Sequence, residues 1–212
     1  ALVLRGDPLS QAALLGVTIQ ALMILTRAAC LPTAVKRTED ANGTQLPSEW
    51  QSTVFGEKVF AFTDTLDVFR RLWDDFRDAE RKRLPWLRSF IVGEGALNVR
   101  RFESGQLWRL PERLGHDLAN PLRVEGVSSR TRRDISNADV VVATSSLEVG
   151  YDDPSVNVVL QHKAPRDWAS YLQRIGRAGR DVKMRPWAVT VLSDYGRDRI
   201  AYQNYHEFFD PC

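Results

Sequence analysis

The octapeptide Q-R-I-G-R-A-G-R, Gln173–Arg180, holds the residues best suited to chemistry. Taking Arg166–Arg180 as a helix of 3.6 residues per turn, Gln173, Arg177 and Arg180 fall at i, i+4 and i+7. Trp168, Tyr171, Leu172 and Ile175 fall at i, i+3, i+4 and i+7 on the opposite side. The spacing predicts a helix that packs an apolar stripe on a sheet and presents an amide and two guanidiniums. Gly176 and Gly179 lie between them, and each glycine weakens a helix by roughly 1 kcal/mol relative to alanine. Close approach of the backbone to a ligand or another domain accounts for the pair; helix stability does not. Lone arginines on an exposed face are ordinarily a solvated surface. At this spacing, with both glycines, they read as a presented surface and not a solvated one.

Other polar groups point the same way with less force. Ala143–Asp152, A-T-S-S-L-E-V-G-Y-D, follows an apolar run directly. A strand, small hydroxyl residues and the start of a helix can cradle a phosphate, but Ser and Thr are also common helix caps, and residue chemistry leaves both open. In Glu125–Arg133, E-G-V-S-S-R-T-R-R, the side chains of Arg130, Arg132 and Arg133 either bind phosphates or form a solvated face. In Val59–Leu66, V-F-A-F-T-D-T-L, Thr63 and Thr65 either cap the next helix or touch a backbone phosphate. Between Lys163 and Arg185 seven basic residues face two acidic ones, whereas the formal net charge of all 212 residues is only +2. Any polyanion site is therefore local. His116 and His162 have no second ligand at metal spacing and read as ordinary hydrogen-bonding residues; no metal is expected on this chain. Tyr202, Tyr205, Phe208 and Phe209, at near-helical spacing, read as core.

These groups need a framework to position them. Pro8–Ala29 reads as a helix with a stripe of Leu14, Leu15, Ile19, Leu22 and Met23, and Leu31–Phe55 as a polar linker. From Glu57 strands and helices alternate: strands at Lys58–Phe62, Arg88–Val92, Leu122–Glu125, Asp139–Ala143, Val156–Gln161 and Trp187–Leu192, and helices at Asp64–Arg81 (capped by Asp64 or Thr65), Ser129–Asn137, Trp168–Ile175 and Asp194–Phe209. Gly93–Asn120 reads as an irregular insertion. The continuous apolar run D-V-V-V-A suits the middle of a parallel sheet. The expectation is an α/β fold, an open, mostly parallel sheet with helices on both faces, over residues 57–212, preceded by an N-terminal helical arm and linker over residues 1–56.

Q-R-I-G-R-A-G-R resembles motif VI of superfamily 2 helicases, A-T-S-S-L-E-V-G-Y-D resembles motif V, and V-F-A-F-T-D-T-L resembles motif IV. Glu125–Arg133 resembles an H-G-x-x-S-x-x-x-R element of Lhr-like helicases, with Glu125 in place of the usual His. Gln161–Pro165 and Met184–Arg199 resemble helicase-like proteins of bacterial DNA-modification and phage-defence clusters. The resemblance spans about residues 57–192. It implies a RecA-like C-terminal motor lobe in which Arg177 and Arg180 act as arginine fingers on the γ-phosphate of ATP and Gln173 couples the nucleotide to the lobe interface. It further implies that Gly150 and Asp152 lie near the nucleotide, Asp152 at the ribose, and that Thr144, Ser145, Thr63 and Arg130 contact the nucleic-acid backbone.

The phosphate loop G-x-x-x-x-G-K-[ST] and the acidic box that holds Mg²⁺ are not in the sequence. ATP and Mg²⁺ are thus expected to sit mainly on an N-terminal RecA-like lobe, in this or another chain, with DNA or RNA as the further partner and this segment inactive alone. The ends read as cut from a longer polypeptide. The most apolar run, Ala12–Leu25, is too short for a bilayer, and cysteines at only 30 and 212 fit a reducing, cytoplasmic setting. Two other classes compete. A non-catalytic nucleic-acid-binding or protein-interaction module would have no need of both Arg177 and Arg180. An unrelated α/β enzyme would carry its own glycine-rich strand-to-helix turn, which is not found.

Overall fold

A computed structural model of the chain describes residues 2–5, 11–32, 55–129, 134–144, 151–204 and 206. Its strands are β1 (Leu2–Arg5), β2 (Lys58–Phe62), β3 (Val124–Val127), β4 (Val140–Ala143), β5 (Val156–His162) and β6 (Trp187–Leu192), and its helices are α1 (Gln11–Ala29), α2 (Leu66–Arg81), α3 (Gly95–Glu103), α4 (Arg109–Arg113), α5 (Trp168–Ile175) and α6 (Gly196–Gln203). The strands form one sheet in the order β1-β6-β5-β2-β4-β3, and every pairing is parallel. A parallel sheet must be covered on both faces, and side-chain alternation divides the core accordingly. Val59 and Ala61 of β2 join Val140, Val142, Val158 and Leu160 on the side covered by α1 and α2. Phe60 and Phe62 point the other way, with Val141, Ala143 and Val159, under Tyr151, Ile175 and Ala178.

The sequence of α2 explains its place. Thr65 caps it, its hydroxyl accepting the Val68 N–H at 3.4 Å, while Phe69, Leu72 and Phe76 sink into the core. On α1 the expected stripe is present, with Leu14, Leu15, Leu22 and Met23 buried and Ile19 half-buried. Arg27 of α1 and Glu80 of α2 form a buried, bidentate ion pair (2.9 and 2.7 Å). Arg27 also donates to the Asn120 carbonyl and Glu80 accepts from the Leu122 N–H, so every strong group in the pair is occupied. His162, at the end of β5, meets the Thr18 hydroxyl at 2.7 Å. Burial and the Lys163 charge pull its pKa from 6.5 down to about 4, against the opposing pull of Asp198.

Several expectations need correction. Residues 2–5 and 11–29 are built into the domain, not attached ahead of it: β1 is the edge strand beside β6, and α1 shares the core of β2, β4 and β5. Most of the linker lies outside the described residues. The described helix runs from Gln11, and residues 8–10 of the expected one lie outside the described residues. Arg88–Val92 is no strand; a 3-10 helix, Leu84–Arg88, stands there, opened by Pro85 in its first turn. Gly93–Asn120 is not irregular but holds α3 and α4. The strand expected at Leu122–Glu125 lies two residues later. Of Ser129–Asn137 the described residues, 129 and 134–137, are turn or irregular and not helix, and 130–133 lie outside the described residues. Helix α6 begins at Gly196, and Tyr202 on it is exposed, not core; residues 205 and 207–212 are outside the described set.

Candidate nucleotide-facing site

The site is assembled from the segment ahead of β5 and the segment behind α5. Asp153 anchors the first. Its carboxylate takes the Lys58 ammonium at 2.7 Å, the Ser155 N–H at 2.9 Å and the Ser155 hydroxyl at 2.5 Å. Burial raises the Asp153 pKa, but these hydrogen bonds outweigh it and hold the carboxyl below the ordinary range. A short polar turn is thereby tied to the start of β2, which fixes Tyr151 and Asp152 just before it. Tyr151 packs its ring 5.8 Å from that of Phe60; burial and the nearby Asp153 charge push its phenol pKa up. Behind the turn, β5 skips a residue: Val156 pairs with Lys58 and Val158 with Val59. The displaced Asn157 donates to the Ala29 carbonyl. Gly56 makes room for it, since a Cβ there would stand 2.6 Å from both the Asn157 Cβ and the Ser155 carbonyl oxygen.

Helix α5 supplies the other half. Asp167 caps it, accepting from the Ser170 N–H at 2.8 Å and the Ser170 hydroxyl at 2.9 Å, and these bonds hold its carboxyl below the ordinary range. The helix ends at Ile175, not at Arg180. Gly176 closes it, and Arg177 and Ala178 follow in a turn. Gly179 then takes a left-handed φ of +73° with its N–H on the Val156 carbonyl at 3.1 Å, and a Cβ on it would collide with the Pro186 ring. The glycines therefore terminate the helix and turn the chain back against β5. Gln173, Arg177 and Arg180 do not share one helical face. Gln173 is exposed on α5, Arg177 leaves the turn, and Arg180 lies beyond the left-handed glycine.

Both arginines nevertheless end on the same dipeptide. Arg177 Nη1 donates to the Tyr151 carbonyl at 2.7 Å, and Arg180 Nη1 lies 2.5 Å from Asp152 Oδ2. The Arg180 side chain is 37% exposed. The spacing on a helical wheel was thus the wrong geometry for a juxtaposition that the fold does produce.

The stripe under α5 also departs from expectation. Leu172 is 43% exposed, and Arg174 is only 3% exposed. Its Nη1 donates to Asp64 Oδ1 at 2.6 Å and to Gln161 Oε1 at 2.7 Å, and its guanidinium sits 5.6 Å over the Phe62 ring. Arg197 approaches the other Asp64 oxygen at 3.6 Å. Arg174 thus joins α5 to the ends of β2 and β5.

Among the expected phosphate contacts, Thr63 fails. It is 0% exposed, with its hydroxyl 3.5 Å from the Thr65 carbonyl, so it is sealed inside the lobe. Thr144 directly follows β4 and is mostly buried, its N–H bonded to the Val127 carbonyl at 3.3 Å. Ser145, Gly150 and Arg130 lie outside the described residues. No group of His, Cys, Asp and Glu suited to a metal occurs among the described residues, and no described helix is long and apolar enough to cross a membrane.

The family match to known proteins falls on this same region. The family described as the helicase conserved C-terminal domain matches residues 125–182. Lhr helicase/probable uracil glycosylase of Mycolicibacterium smegmatis is 60% identical over 42 residues, 20% of this chain and 3% of that protein. ATP-dependent DNA helicase Q4 of Mus musculus is 44% identical over 64 residues, 27% of this chain and 5% of that protein. The chain therefore spans a small fraction of these relatives. The structure of S. cerevisiae Dbp5 bound to RNA and ADP BeF3 superposes with a TM-score of 0.53 at 12% identity, covering 99% of this chain and 39% of that one. The sheet is RecA-like by that likeness. The matched residues 125–182 hold Tyr151–Asp152 and Arg174–Arg180, so the segment that forms this site is similar to the C-terminal domain of superfamily 2 helicases, Lhr helicases among them.

Proposed function

We propose that this chain is the second motor lobe of an ATP-dependent nucleic-acid helicase or translocase, working in the cytoplasm and completing an active site whose other half is an N-terminal RecA-like lobe. ATP and Mg²⁺ would be held mainly by that lobe, because the phosphate loop and acidic box are not in these 212 residues. Arg177 and Arg180 act as arginine fingers, meeting the charge that spreads over the γ-phosphoryl oxygens in the transition state. Gln173, exposed on α5, couples the nucleotide to the lobe interface. Asp152 and Gly150 lie beside the nucleotide, and Thr144, Ser145 and Arg130 contact the nucleic-acid backbone. This segment alone does not hydrolyse ATP.

The observation that carries the proposal is the convergence of Arg177 and Arg180 on Tyr151–Asp152, with Arg180 open to a partner. The printed names of the relatives, which include ATP-dependent DNA and RNA helicases, support it. The test joins this segment to its upstream sequence and measures nucleic-acid-stimulated ATP hydrolysis. Arg180→Ala is expected to lower kcat by about 10³-fold or more; an unchanged rate removes the arginine-finger role.

A further inference from the structure

The insertion between α2 and β3 carries a net positive charge of its own. Residues 81–113 hold eight lysines and arginines against three glutamates and no aspartate, while the whole chain is only +2. The remainder is therefore net negative, and this segment is a second local positive excess beside that of Lys163–Arg185. Interleaved with it are exposed rings: Trp86 is 58% exposed and Phe102 62%, and Phe90 is also open to solvent. Two further contacts show that rings and guanidiniums already pair on this surface, Arg109 at 4.4 Å over Phe90 and Arg88 at 5.9 Å over Trp108.

The rings stand on a fixed platform. Asn98 of α3, itself buried, accepts the Ile91 N–H at 3.1 Å and donates to the Ile91 carbonyl at 2.6 Å. Arg101 donates to the carbonyls of Ser89 and Leu87. The Phe90 N–H reaches Glu112 at 3.0 Å and the Trp108 N–H the Arg88 carbonyl at 2.9 Å. The 3-10 helix, α3 and α4 are thus held together by side chains that spend their polar groups on backbone. Arg83, Arg100 and Arg113 are exposed and form no ion pair among the described residues. Trp108 packs on the core shared with α1 and α2, whereas Tyr151 and Ala178 cover the other face of the sheet, so the insertion lies across the sheet from the Arg177 turn.

We propose that this insertion is a second nucleic-acid-binding surface, taking single-stranded DNA or RNA by stacking bases on Trp86 and Phe102 and pairing phosphates with Arg83 and Arg100. Positive excess without aspartate selects a polyanion, and exposed rings select bases over bare phosphate. The surface goes beyond the motor reading and stands without it, because neither ATP nor Arg180 takes part.

The test is fluorescence anisotropy of the 212-residue chain, without ATP, with fluorescein-labelled oligo(dT) and oligo(U) of about 20 nucleotides over a range of salt. Trp86→Ala with Phe102→Ala is expected to weaken binding about tenfold or more and leave its salt dependence unchanged. Arg83→Glu with Arg100→Glu is expected to weaken binding and reduce the slope of log affinity against log salt by about 1.4, two phosphate contacts at roughly 0.7 each. All four side chains are exposed, so both variants should keep the native circular dichroism and melting temperature. Native affinity and slope in both variants overturn the proposal. So does native oligonucleotide binding together with loss of self-association in sedimentation velocity, which would make the patch a protein interface. Failure of the ATP hydrolysis test at Arg180 leaves these outcomes unaffected, so the two readings fall separately.

Discussion

Arg174 and Arg180 belong to one octapeptide and occupy opposite environments. Arg174 is buried, with its guanidinium on Asp64, Gln161 and the face of Phe62. Arg180 is over a third exposed and touches the still more exposed Asp152. The same side chain is an anchor in one place and a presented group in the other. The difference comes from the backbone: Arg174 sits on the last turn of α5 facing the sheet, and Gly176 and Gly179 end the helix before Arg180. An arginine held inside by a carboxylate fixes where the helix ends. An arginine held outside by an exposed surface pair is open to a partner.

The comparison breaks most readily at the buried end. Arg174→Met leaves the mostly buried Asp64 carboxylate with only the more distant Arg197 at 3.6 Å, and removing one partner of a buried pair destabilises by roughly 3–5 kcal/mol. Urea unfolding of the isolated chain measures this, and a loss below about 1 kcal/mol would mean that Arg174 does not anchor the segment. Gly179→Ala is the next test, because a left-handed φ and the Pro186 ring both oppose a Cβ. It should cost about 1–3 kcal/mol by thermal melting. It should also loosen Arg180 from β5, seen as faster hydrogen exchange at the Gly179 amide, which now bonds to Val156. The smallest effect belongs to the exposed end: Asp152→Asn should change stability by less than about 1 kcal/mol, since exposed ion pairs are weak. A larger loss would move Arg180 from the presented class to the structural one.

How much of this could be read from sequence follows from the range of each interaction. Strand β4 was legible because V-V-V-A is apolar at every position, as a strand buried on both faces requires. Helix α5 was legible because an Asp cap and a glycine bracket eight residues. Strand β1 was not, because its partner, Val189–Leu192, is remote in the chain and four residues carry no period of their own. Helix α3 was missed because it buries little: Leu97, Val99 and Phe102 are all exposed, so no apolar stripe marks it. At the site, the sequence identified Arg177, Arg180 and Asp152 as neighbours. It mistook the route, because a helical wheel drawn through two glycines continues a helix that those glycines end. The anchors Arg174 and Asp153 were invisible for a different reason. Their partners Lys58 and Asp64 lie at the start of β2 and two residues past its end, and only the sheet order brings that strand beside β5.

The central claim is that Arg180 is presented to a nucleotide held elsewhere. Its most direct test is nucleic-acid-stimulated ATP hydrolysis by this segment joined to its upstream sequence, comparing the native protein with Arg180→Ala at saturating ATP and nucleic acid. A fall in kcat of about 10³-fold or more, with the melting temperature of the protein unchanged, is predicted. A native kcat in the folded variant would contradict the account.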